Sequence, residues 1–162
     1  MIHALFSVSL YVVVSFILQS FLAEITGHWF APNLLIIVVV FFNLYRGIRY
    51  GFLAAMIGGI LWDSFSAQHF GWHTFSLILC AHIASFIKMY LYQSGSLSSR
   101  VLMVFLISVI YSFIQYLLNL MMVSIPFEEA FTRVMVPEIL ATTVAAAYFL
   151  EKFKQCALRL FA

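Results

Sequence analysis

The sequence predicts an all-α, polytopic membrane protein with six transmembrane helices. Composition, the spacing of apolar runs and the placement of charge all lead there. Of the 162 residues, 65% are hydrophobic and 9% charged, and the mean hydropathy is +1.08. Soluble domains run at about 45–50% apolar and about 25% charged. A soluble fold of this size keeps much of its surface wet, so it has nowhere to hide that much apolar area. Hydrocarbon as solvent removes the difficulty. A membrane helix takes about 20 mostly apolar residues, so six of them with short loops use nearly the whole chain as one integral membrane domain over residues 1–162.

The first helix is predicted over residues 4–23 and ends at Glu24, Thr26, Gly27 and His28. Met1-Ile2-His3 lacks the basic segment of a cleaved leader, so this helix is read as retained. The second covers residues 32–46, with Pro32 in its first turn, where the missing amide hydrogen costs nothing. The third covers 48–65 and the fourth 72–92. The second and third are short and suggest a tight hairpin. The polar stretch 93–99 is the clearest linker, and the fifth helix follows over 100–124. Pro126, Glu128 and Glu129 predict a break over 125–133 before the sixth helix, 134–153. Trp29, Tyr45, Tyr50, Trp72 and Tyr92 sit near segment ends, as interfacial anchors do.

Lys and Arg set the orientation. Six spans bring Arg46 and Arg49, Lys88 and Arg100, and Lys152, Lys154 and Arg159 to one side, and leave Arg133 on the other. The basic side is the cytoplasmic one, so both termini are predicted there. Glu24, Glu128, Glu129 and Glu138 then fall at or near the outer boundary. The net charge of +2 gives no footprint for nucleic acid. Cys80 and Cys156 form no disulfide or zinc pattern.

Asp63 is the acid read as lying well inside a span, about 20 Å from the cytoplasmic entry of its helix at about 1.5 Å per residue. Such an acid is costly in a bilayer. It either binds an ion, a ligand or a partner's donor, or bonds the turn at Ser64, Ser66 and Gln68. Gly51, Ala55 and Gly59 recur every four residues with Gly58 beside them, and small residues so spaced admit another helix closely. Asp63 continues that row. The visitor is either a helix of the same chain or a separate subunit. Ala141 and Ala145 offer a second close-packing face. Ser108, Ser112, Gln115 and Asn119 share one helix face and form a polar stripe for the bundle interior. Glu138, just after Pro137, is read as a first-turn acid that suits the helix dipole. His69 and His73 are spaced for one helix face but have no third firm ligand, so no metal site is predicted. No cofactor is called for, and no catalytic constellation is visible.

From Pro32-Asn33 through Arg46-Gly47, Gly51-Phe52, Gly58 and Asp63 to Gly71, the chain resembles the bacterial rod shape-determining MreD family. That resemblance implies a non-enzymatic subunit of the machinery that builds the lateral cell wall. It implies association with MreC, a single-span protein, and through it with MreB, RodA and a penicillin-binding transpeptidase. The architecture is also similar to the six-helix substrate-binding subunits of energy-coupling-factor transporters. The alternative function is therefore a small-molecule, vitamin-like binding subunit whose pocket is lined by Asp63, Gln115 and Asn119. Fold analogy alone does not transfer transport. Beyond membrane lipid, the partners implied are proteins of the elongation complex.

Overall fold

A computed structural model describes residues 2–26, 31–66, 70–91, 96–122 and 126–160. Gly27 and His28, the anchors Trp29 and Tyr92, Gln68, His69, linker residues 93–95 and Ile125 lie outside the described residues, as do the side chains of Lys154, Cys156 and Arg159. The described elements are helical: α1 (Ile2–Thr26), α2 (Leu34–Arg46), α3 (Ile48–Phe65), α4 (Trp72–Leu91), α5 (Leu97–Leu120), a short α6 (Phe127–Ala130), a π-helical turn (Phe131–Met135) and α7 (Val136–Leu160).

Helix α2 is the hub. Every residue from Leu34 to Leu44 is buried, and α2 packs against α1, α3, α4, α5 and α7. With 13 residues it reaches only roughly 20 Å, short of the roughly 30 Å hydrocarbon layer. It is thus enclosed by protein rather than by lipid. Among the described residues, three helical runs are long and apolar enough to cross a membrane: Leu5–Thr26, Leu97–Leu120 and Phe127–Lys152. Their outer faces are greasy. Phe6, Ile17, Phe21 and Ile25 on α1 and Val144 and Tyr148 on α7 are each more than half exposed. A continuous apolar surface of this kind needs lipid or a partner.

A helix buried in apolar surroundings must have its end groups satisfied from elsewhere. At the start of α2, Asn33 Oδ1 accepts from the Ile36 amide at 3.4 Å and Gln19 Oε1 of α1 accepts from the Leu35 amide at 3.3 Å. At its end, Lys88 Nζ of α4 donates to the Asn43 and Leu44 carbonyls at 3.1 and 2.8 Å. Asn43 Nδ2 donates to the Ala81 carbonyl at 2.7 Å, and Ser85 Oγ donates to Asn43 Oδ1 at 3.0 Å. Arg100 is held the same way, its Nη1 donating to Tyr45 Oη at 2.6 Å and its Nε to the Ser96 carbonyl at 3.2 Å.

Gly47 alone joins α2 to α3, at φ +92°, a left-handed conformation that suits glycine. The small-residue row then sets the helix spacing. A Cβ on Gly51 would meet Asn43 Cβ at 2.9 Å, one on Gly58 would meet Leu35 Cδ2 at 3.2 Å, and one on Gly59 would overlap the Thr74 backbone. Ala54 and Ala55 are fully buried. This chain's own helices fill the face, so a separate subunit cannot dock on it.

Two expectations about the chain's second half are corrected. The predicted break over 125–133 is helical from Phe127, because Pro126 supplies an N-terminal start and Glu128 and Glu129 occupy the first turn, where acids suit the dipole. The fifth helix begins at Leu97, capped by Ser96 Oγ accepting from the Ser99 amide at 3.2 Å, so part of the predicted linker is helix.

Candidate functional site

The chain crosses the bundle in alternation, so one end collects the end of α1, the start of α2, the end of α3, the start of α4, the end of α5 and the π-helical turn. A cavity of about 400 Å³ lies among them. Its polar wall comprises Gln19, Asn33, His73, Gln115, Asn119 and Glu138, with Arg133 also contributing and Trp62 and Tyr111 as aromatic surface.

Glu138 is the acid of this wall. Glu138 is the third residue of α7, in its first turn as the dipole reading has it, with α6 and the π-helical turn running directly into that helix. Its Oε1 accepts from Asn33 Nδ2 at 3.1 Å and its Oε2 from Ser112 Oγ at 3.5 Å. The Asn33 backbone N–H donates to Thr142 Oγ1 at 2.9 Å. The carboxylate thus ties α2, α5 and α7 together through neutral donors. Among the described residues no cation stands within ion-pair distance of it; the basic residue on the same wall, Arg133, pairs with Glu129 at 2.8 Å.

The polar stripe of α5 runs into the same place. Ser108 is buried and returns its hydroxyl to the Val104 carbonyl at 2.5 Å. Ser112 meets Glu138, and Asn119 Nδ2 donates to the Gln115 carbonyl at 2.9 Å. Ser76 Oγ donates to the Trp72 carbonyl at 2.8 Å, so it receives the Gln115 amide at 3.2 Å. That contact fixes the amide's orientation, with Nε2 also 3.1 Å from His73 Nδ1. Tyr111 Oη stands 2.8 Å from the same His73 nitrogen. Gln115 Oε1 is left buried with no hydrogen-bond partner among the described residues.

Asp63 does not line the cavity, contrary to the pocket predicted for it. It is 4% exposed, and its oxygens are committed across the α3–α4 junction. Oδ1 accepts from the His73 amide at 2.9 Å, and Oδ2 accepts from the Thr74 amide at 3.0 Å and from Thr74 Oγ1 at 2.5 Å. These are the free amides of the first turn of α4, where a carboxylate also suits the dipole. Its partners among the described residues are therefore His73 and Thr74 and not Ser64 or Ser66, while Gln68 lies outside the described residues. Ala141 and Ala145 are half-buried and border the core face of α7 formed by Ile139, Thr142, Ala146 and Leu150. Among the described residues no group of three or more His, Cys, Asp or Glu could hold a metal ion. Glu138, Asn33 and Tyr111 are members of the site that the sequence reading passed over.

Comparison with known families finds a match, over residues 1–154, to the family described as rod shape-determining protein MreD. No curated protein and no solved structure matches.

Proposed function

Because the chain belongs to the MreD family of rod shape-determining membrane proteins, we propose that it is a non-enzymatic subunit of the bacterial wall-elongation complex, acting through an MreC-like single-span partner. The family match over nearly the whole chain carries this reading. The build of the bundle supports it: helices take up almost all of the described residues, so partners must be met on helix faces and short connections. The α3 glycine row is used internally, which leaves the outer faces of α1 and α7, including the Ala141 and Ala145 border, for a partner helix. Through that partner the chain would meet MreB, RodA and the penicillin-binding transpeptidase, and it would bias lateral peptidoglycan synthesis without doing chemistry.

In this reading the chain crosses the inner membrane six times with both termini in the cytoplasm. Arg46, Arg49, Lys88 and Arg100 all fall at the end of the bundle opposite the cavity, which supports a cytoplasmic basic end and a cavity on the outer side. Cysteines introduced at Thr132 and Ile48, both exposed positions, test this. An impermeant maleimide on intact cells is expected to label the first and spare the second; the reverse pattern contradicts the orientation.

The direct test of function is co-purification from detergent. The tagged chain is expected to retain an MreC-like protein, and Ala145→Leu to retain less of it at equal expression. Failure of the wild-type chain to capture any such partner overturns the scaffold reading. A vitamin-binding transporter subunit is the second reading, favoured only by the cavity. It predicts a metabolite released on denaturation.

A further inference from the structure

The cavity wall is short of donors. Glu138 holds a carboxylate with about four acceptor directions, of which Asn33 and Ser112 use two. One turn along α5 from Ser112, Gln115 Oε1 is buried with no partner among the described residues. An acid in apolar surroundings without a cation is costly, and an ionisable residue at membrane depth calls for its partner to be identified. What Glu138 lacks is a cation within hydrogen-bond reach, since the guanidinium on this wall is paired with Glu129.

A second observation concerns the helix that carries Glu138. The π-helical turn Phe131–Met135 widens the winding just before it, so Arg133 and Glu138, five positions apart, both reach the same cavity. Turns of this kind inside α-helices are often found at functional sites. The Arg133 guanidinium has five N–H donors, and its ion pair with Glu129 uses Nη1. One wall therefore offers an uncompensated carboxylate and, on the same helical run, a guanidinium with donors to spare. The cavity, about 400 Å³, is within the range of about 300–1,000 Å³ usual for small-ligand sites.

We propose that this cavity binds a primary ammonium joined to a phosphate, the chemistry of an ethanolamine phospholipid headgroup or of free phosphoethanolamine. Glu138 takes the ammonium, Trp62 flanks it, and Arg133 takes the phosphate. The inference rests on the cavity and not on the scaffold reading, so either can fail alone. A choline headgroup carries the same phosphate and a cation without N–H bonds, so it is the discriminating control.

The test uses the full chain in nanodiscs of mixed ethanolamine and choline phospholipids, followed by native mass spectrometry of the lipids retained. Wild type is expected to retain the ethanolamine lipid about tenfold over the choline lipid, the order that a charge-assisted hydrogen bond supplies. Glu138→Gln is expected to abolish the preference, and Glu128→Gln, at an exposed position, to keep it. Phosphoethanolamine added to the detergent-solubilised chain separates the sources. If it raises the unfolding temperature while no lipid preference is seen, the proposal stands with a soluble ligand. If wild type shows neither a lipid preference nor a response to phosphoethanolamine, the proposal is overturned, whatever the variants do. A preference that survives Glu138→Gln also overturns it.

Discussion

Asp63 and Glu138 are both acids held inside a helical bundle near the same end, yet their surroundings assign them opposite jobs. Asp63 meets three donors from the first turn of α4, two of them backbone amides that have no other partner in the helix. Its two oxygens close the α3–α4 junction beneath the contact between Gly59 and Thr74. Glu138 meets two neutral side chains and faces a cavity. An acid whose acceptors are saturated by backbone donors fastens the fold. One with acceptor directions left over beside empty volume is available to a ligand. Residue type and depth do not separate the two cases; the count of donors does.

The largest expected effect lies in the Asp63 region. Gly59→Leu would drive a side chain into the Thr74 backbone, and overpacking of a fitted contact costs about 1–3 kcal/mol and sometimes more. The variant is expected to lose its cooperative thermal transition in detergent or to express poorly, as read by fluorescence-detected size exclusion. Normal expression and melting would show that α3 and α4 can part without cost. Next is Asp63→Asn. Three donors converge on two oxygens there, so an amide nitrogen must face an N–H or O–H group, and leaving a buried donor unsatisfied costs about 1–3 kcal/mol. By contrast, Glu128→Gln is expected to leave melting unchanged. Lys88→Met removes the cap on the Asn43 and Leu44 carbonyls at the far end of α2. Hydrogen bonds from a charged donor are worth roughly 1.5–3 kcal/mol, so a drop somewhat smaller than that of Gly59→Leu is expected in the same melt. The smallest effect among the variants that break a contact is that of Arg133→Gln. Its ion pair with Glu129 is largely solvent-exposed and is worth at most about 1 kcal/mol, so melting should barely move while retention of a phosphate-bearing ligand falls.

The contrast between the two acids also marks how far the sequence could be read. Helix α3 was legible in full, because Gly47 interrupts the apolar run before Ile48 and a polar turn follows Phe65. The α5 stripe was legible as an inward face because side-chain direction follows helix period. Asp63 was legible as buried, but its partners stand ten and eleven positions away in another helix, beyond any local pattern. Glu138 was legible as a first-turn acid of α7, but its partners Asn33 and Ser112 stand 105 and 26 positions away in other helices. The burial of α2 on all sides was hidden for a different reason. An apolar helix enclosed by protein and one enclosed by lipid have the same composition, and only the side-chain caps Gln19, Asn33 and Lys88, drawn from both sequence directions, betray the difference.

The same chemical change at the two acids tests the account most directly. Asp63→Asn and Glu138→Gln each replace a carboxylate by its amide, and their unfolding midpoints can be compared in one detergent. Glu138→Gln can keep both contacts, with its oxygen accepting from Asn33 and its nitrogen donating to the Ser112 hydroxyl. Asp63→Asn is expected to melt roughly 4–8 °C below wild type, from about 2 kcal/mol at about 2–4 °C per kcal/mol for a chain of this size, and Glu138→Gln within about a degree of it. Equal losses for the two, or a larger loss for Glu138→Gln, would contradict the division of labour between them.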